Sequence, residues 1–408
     1  MNDPVFDRFP DSEKITSFFR EGIPEVNAHI HTPWSFSAFT CIEQAFSLAA
    51  QQHVEVLGIN DFITTGGYPE FMHYALRYRI FPLFNIEFIA LPEEFHEIGL
   101  RVNDPDNPGR TYFCGKGLPF PFSPTGDFPD FLDRLVETGN ARVREMAERV
   151  AKHLSRIDPV LKLNREWVES ELAEQLVRER HLAKAIRMIV ERHYPDTGER
   201  IGVYEKIFSG MKPASAMDET AALENEIRGR LLKKGGVAYV PEDPETFPFL
   251  TDVRDALLKT GGIPCYPVLL DNAAGECTEF EEDPESLAGR LRSLNVHAVE
   301  FIPQRNDVGF LSDYVRCLAR DGFLVLFGTE HNTPAMTPLK VFARNGVPLP
   351  EDIRKTGWDS ACVVAAHQYL VSRGEKGYCN PDGSIRISEY DKFVRLGNAV
   401  INFFRQLK

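Results

Sequence analysis

Three apolar runs of strand length, residues 26–31, 54–60 and 81–89, alternate with two stretches of helical periodicity at 42–52 and about 69–79, and each run ends on polar residues. Runs that are apolar throughout describe strands buried on both faces, as a parallel sheet covered by helices requires. Polar groups arriving at successive strand ends point to an α/β chain of the βα-barrel type, whose chemistry gathers at the carboxyl ends of its strands. The alternation resumes at 262–270, 296–302 and 323–327, with helices at about 285–294 and 309–320. Between about 101 and 235 it stops. There Val143, Met146, Ala147, Val150 and Leu154 form one apolar stripe, and Leu182, Ala185, Ile186, Ile189 and Val190 form another. The expected organisation is an arm (1–25), a discontinuous barrel (26–100 and 236–380), a helical insertion (101–235) entered through the turn-forming loop at 103–110, and a C-terminal helix within 381–408.

A chain of 408 residues can bury a sufficient core without staples. Its net charge of −14 argues against nucleic acid as the main partner, yet leaves room for a locally positive pocket and a small anionic metabolite. Seven cysteines without repeated spacing fit a reducing compartment. The opening Met-Asn-Asp-Pro lacks the features of a signal peptide, and no apolar run is long enough to span a membrane. The expectation is a cytoplasmic protein without a membrane partner, with a homo-oligomer left open.

The sharpest chemical signal lies on the first strand, Val26-Asn27-Ala28-His29-Ile30-His31. Side chains alternate along a strand, so His29 and His31 share a face and can grip one metal ion while Ile30 enters the opposite layer. Two neutral imidazoles suit zinc, manganese or iron, and a carboxylate would add the charge that a divalent ion needs. Asp61 ends the second strand and Glu87 lies near the end of the third.

With Gly58-Ile-Asn-Asp61, Asn85-Ile-Glu87, Gly261-Gly-Ile-Pro264 and Gly328-Thr-Glu-His-Asn-Thr-Pro334, the His29–His31 segment resembles the successive motifs of the PHP (polymerase and histidinol phosphatase) superfamily. The likeness is to its metal-dependent phosphoesterase branch. It extends to His96-Glu-Ile-Gly-Leu100, to Arg180-His181-Leu-Ala-Lys-Ala-Ile186, and to the return through Val203-Tyr-Glu-Lys-Ile-Phe208 and Val237-Ala-Tyr-Val-Pro241. The resemblance implies a distorted seven-stranded TIM-like barrel with a helical insertion, and a metal-dependent hydrolase.

By that resemblance the first metal site falls on His29, His31, Glu87 and Glu330. The second falls on His96 and on Tyr266, where the family has histidine. The third has lost its ligands, which fall on Phe36 or Ser37, Phe62 and Asn332. Phenylalanine cannot ligate, so the expectation is a reduced centre holding one divalent transition metal. Three readings remain open: a phosphoester hydrolase, a metal-assisted isomerase, lyase or C–N hydrolase on a sugar-like substrate, and a non-catalytic binding protein. Asp61, His331 and Tyr266 are the candidate proton-handling groups.

Arg305, after the strand at 296–302, is placed to meet a substrate phosphate or carboxylate. Arg110 and Lys116, in a glycine-rich stretch read as a loop, and Arg180, His181 and Asn332 are further substrate-binding candidates. His53, His73, His153, His193, His297 and His367 are assigned to surface or core, and the cysteines to packing. In the last motif, alternation places Glu330 and Asn332 inward and turns His331 away; a ligating His331 would require the opposite register.

Overall fold

The computed structural model describes residues 4–123, 126–272 and 275–407; the side chains of residues 94–96 lie outside the described set. One seven-stranded sheet runs in the order β1 to β7. The strands are β1 (Glu25–Ile30), β2 (Val54–Phe62), β3 (Phe81–Ala90), β4 (Thr111–Lys116), β5 (Ile263–Val268), β6 (Ala298–Phe301) and β7 (Leu324–Phe327). A parallel bridge between Ile30 and Glu330, just beyond β7, brings the first and last strands together, so the sheet curls into a nearly closed barrel. The fold is the distorted TIM-like α/β barrel that the motifs led one to expect.

Strand β4 corrects the expected boundaries. The expected insertion, 101–235, includes the glycine-rich segment around Arg110 and Lys116 as a loop, but Thr111–Lys116 forms a strand antiparallel to both β3 and β5. Its glycines hid it. Alternation places Tyr112, Cys114 and Lys116 on one face, with Cys114 and Lys116 turned to Glu300 inside the barrel.

The reversal carries the chain to the amino-terminal end of the barrel, where Leu118 N donates to Phe84 O (2.8 Å). From there the helix Phe128–Ile157 climbs back, its buried residues falling at intervals of three and four. Phe128 and Leu132 belong to the main core, whereas Val143, Met146, Val150 and Leu154 belong to a second core within the insertion. The chain returns through Pro248, whose carbonyl accepts from Leu91 N (2.9 Å) at the barrel mouth. Helices Glu351–Ser372 and Tyr390–Phe404 then pack together against the barrel, and the amino-terminal arm sets Phe6 and Phe9 against Tyr369. None of the described helices is long and apolar enough to cross a membrane.

Candidate metal centre

His29 and His31 point into the barrel from the end of β1, with their Nε2 atoms 3.2 Å apart, and Glu87 Oε2 on β3 lies 3.1 Å from His31 Nε2. Each imidazole is held from behind. The ionised Glu300, on β6, can only accept, so His29 donates Nδ1–H to its Oε2 at 3.1 Å. Ser35 Oγ spends its proton on Asp61 Oδ1 (2.6 Å), so it accepts from His31 Nδ1 (3.0 Å). Both Nε2 lone pairs therefore face the centre. Asn60 Nδ2 lies 3.1 Å from His29 Nε2 and 3.4 Å from Nδ1, which puts it beside the ring and not along either lone pair.

Glu87 Oε2 is buried without a hydrogen-bond partner among the described residues. Burial pushes the Glu87 carboxyl up to about 8 and His31 down to about 4. Without a cation, burial thus keeps a proton on the Glu87 carboxyl, beside the bare His31 Nε2; a divalent ion would displace that proton and meet three converging acceptor atoms. Spacings of 3.1 and 3.2 Å suit donors about 2.0–2.1 Å from one ion, and two histidines with one glutamate form a three-ligand set that leaves a coordination position open. His29, His31 and Glu87 fit a divalent transition metal.

A second group of potential ligands, His29, Cys114 and Glu300, is already occupied by a protein cation. Lys116 Nζ donates to Glu300 Oε2 (2.6 Å) and Asn60 Oδ1 (2.8 Å), and Cys114 Sγ donates to Glu300 Oε1 (3.0 Å). Burial by itself would favour neutral forms of the pair, but their mutual attraction holds Lys116 well above and Glu300 well below the ordinary ranges. The carboxylate–histidine contact fixes both the tautomer and the orientation of His29.

Several sequence-based assignments are corrected by this arrangement. Lys116 is fully buried beneath His29 and cannot reach a substrate. Asp61 accepts from Thr32 N (2.7 Å), Thr32 Oγ1 (2.5 Å) and Ser35 Oγ, so it fixes the loop behind His31 and is not free as a proton carrier. His331 is turned away: its Nε2 donates to Thr337 O (2.9 Å), its Nδ1 takes the Thr329 hydroxyl (2.9 Å), and its ring stacks on Phe39. Tyr266 lies on the outer face of β5, where its hydroxyl donates to Glu281 Oε1 (2.8 Å). His181 accepts from Arg178 N through Nδ1 (2.9 Å) and meets Phe36 edge-on; burial pushes it down to about 3, which makes it a neutral packing group.

The remaining candidates lie at the mouth. Glu330 pairs with Arg305 and stands outside the tight ligand cluster. Burial opposes its charge, but Arg305, then His29 and His31, hold it below the usual carboxylate range. Arg110 pairs with Asp104 and Glu242. Arg180 Nη1 donates to Asn225 Oδ1 (3.0 Å), and its guanidinium lies over Phe36. Asn332 is half-buried beside the Glu330 turn. His96 is on the short helix Glu93–Ile98, and its side chain lies outside the described residues.

Glu300, Cys114, Asn60 and Ser35 were missed by sequence reasoning. The usable signal was one lysine and one glutamate, each set in an otherwise buried strand; charges so placed require each other.

No family model matches the chain, and no curated protein does. Among solved structures, a Bifidobacterium adolescentis chain provisionally named a metal-dependent phosphoesterase is similar at 16% identity, with a TM-score of 0.52, over 83% of this chain and 96% of that one. An amidohydrolase from Chromobacterium violaceum, with bound sulfate and no metal, is similar at 13% identity, with a TM-score of 0.52, over 81% and 96%. The likeness is one of fold, and it agrees with the PHP-type barrel that the motifs resemble.

Proposed function

We propose that this protein is a metal-dependent hydrolase that cleaves a phosphoester of a small anionic metabolite, using one zinc, manganese or iron ion per chain held by His29, His31 and Glu87. The observation that carries this reading is the convergence of three acceptor atoms, each aimed by its own strand or by a buried carboxylate behind it. A divalent ion bound there supplies the charge that lowers the pKa of a water molecule and draws electron density from a phosphoryl oxygen.

The chain's own groups do the rest. Glu300, held ionised by Lys116, keeps His29 in the tautomer that presents Nε2. Asp61 does the same for His31 through Ser35. Phe62 stacks on His31 (ring centroids 5.0 Å apart) and keeps water from that side. At the rim Arg305 pairs with Glu330, and an incoming phosphate would compete for its guanidinium. A cytoplasmic setting is consistent with the seven unpaired cysteines.

Elemental analysis of protein purified without added metal tests the reading: about one transition-metal ion per chain is expected, with loss of both ion and 4-nitrophenyl phosphate turnover in His31→Ala. Two or more tightly held ions would refute the single-metal centre, and a metal content unchanged by His31→Ala would refute the site. Arg305→Ala should raise KM about tenfold with little change in kcat, as expected for loss of a charge-assisted pair; an unchanged KM removes Arg305 from the pocket.

A further inference from the structure

A cavity of about 380 Å³ lies between the mouth ends of β2–β4 and the helical insertion. That is the size of an ordinary small-ligand pocket. Phe62 and Tyr112 line it from the barrel, Leu176, Val177 and Arg178 from the insertion, and Phe247 from the returning chain. Most of the cations around it are already matched: Arg110 with Asp104 and Glu242, Arg142 with Glu242, Arg228 and Lys233 with Glu179. Arg178 differs. It has no carboxylate at ion-pair distance among the described residues, and its guanidinium lies 4.2 Å from the centre of the Phe62 ring.

Phe62 also stacks on His31, so the guanidinium stands no further from that imidazole than the two stacking distances, 4.2 and 5.0 Å, laid end to end. The loop that carries Arg178 is fixed from both sides. Asn140 on the long helix accepts from Val177 N (2.8 Å) and donates to Gln175 O (3.2 Å), while Leu176 N donates to Trp34 O (3.4 Å) on the barrel. The cation is therefore positioned before any ligand arrives, which spares binding the cost of ordering it.

We propose that this cavity receives the non-reacting end of the substrate, an organic anion with a flat, largely apolar body whose carboxylate is gripped by Arg178 while the bond to be broken reaches the metal centre past Phe62. The aromatic walls suit a flat body. One unmatched guanidinium suits one carboxylate, which its planar fork can meet with two parallel hydrogen bonds. The last clause rests on the hydrolase reading; the anion site does not.

Binding of 2-naphthoate and of its neutral isostere 2-naphthamide, measured by titration calorimetry, tests it. The wild-type chain should bind the carboxylate at least tenfold tighter than the amide. That ratio should fall to about one in Arg178→Gln, recover partly in Arg178→Lys, and persist in His31→Ala. Because the comparison is made within each variant, a general loss of stability does not imitate it. Equal binding of the two probes by the wild type, or a preference that survives Arg178→Gln, would overturn the proposal. A preference lost in His31→Ala but kept in Arg178→Gln would put the anion on the metal and overturn it equally. Should 6-phosphonooxy-2-naphthoate, which carries both the carboxylate and a phosphoester, never turn over while the Arg178-dependent preference holds, the hydrolase reading fails and the anion site stands.

Discussion

Glu300 and Lys116 form a pair whose members are each tolerable only because of the other, since both are fully buried. Glu300→Gln should leave an uncompensated ammonium in the barrel and cost about 3–5 kcal/mol. It should also free His29 Nδ1 and weaken metal binding by about 10–100-fold. Lys116→Met combined with Glu300→Leu should regain most of the stability but not the metal affinity; urea denaturation and a metal titration separate the two effects. A different buried residue contributes to the acid limit. His367 donates Nε2–H to Gly261 O (2.7 Å), and its Nδ1 accepts from Tyr378 N (3.0 Å), so a proton on Nδ1 would face a donor. Burial pushes it down to about 4. Unfolded, the same histidine takes a proton near 6.5, so the unfolded state binds more protons between about 6.5 and 4 and the contribution, whole above that window, is lost as pH falls through it. The full loss is about 3 kcal/mol; the urea midpoint should drop between pH 7 and 5 in the wild type and less steeply in His367→Gln. The legible part of the site was the part that obeys local rules: His29 and His31 by alternation, Glu87 by its place near a strand end. Glu300 and Lys116 lie 184 residues apart, and no local pattern joins them. In the last motif His331 turns away as alternation expects, but Glu330 pairs with Arg305 outside the tight ligand group; both residues have left-handed backbones (φ 62° and 59°), and alternation holds only for extended chain.

Among the elements, strands rich in apolar residues and helices with one apolar stripe were readable because their periods differ. The antiparallel β4 was not, since Gly115 and Gly117 read as turn residues and a short strand has too few positions to show its period. Yet Gly115 is small for a reason of packing: a Cβ there would lie 2.3 Å from Leu257 Cδ2. The closest approach of all joins the last two long helices. A Cβ on Gly397 would lie 1.7 Å from the Cys362 carbonyl oxygen, so Tyr390–Phe404 meets Glu351–Ser372 backbone to backbone. Gly397→Ala should cost about 3 kcal/mol or more by forcing the helices apart. Gly289, exposed on the helix Pro284–Ser293 with nothing near its Cβ position, provides the contrast. Gly289→Ala should raise stability by about 0.5–1 kcal/mol, and paired thermal melts should move in opposite directions.

At the scale of the whole molecule, the main core and the insertion's core are separate sets of buried residues, with Phe128–Ile157 contributing to both. Met146→Ala, deep in the second core, should therefore open amides of the insertion in hydrogen exchange while those of β2 and β3 keep their protection; an equal rise across both would mean that the chain unfolds as one unit. The charge is as unevenly shared as the core, because a chain of net charge −14 keeps an unmatched guanidinium at its mouth. The reversed course of β4 governs how these parts meet. A chain leaving a parallel strand would already be at the mouth, but here it leaves at the far end, and 30 helical residues make up the distance, about 45 Å. That helix acts as a ruler. Deleting seven residues from the helix would draw the insertion down about 10 Å with little rotation, pressing Arg178 toward the rim, whereas deleting four would draw it down about 6 Å and swing it by about 40°, carrying the guanidinium off Phe62 altogether.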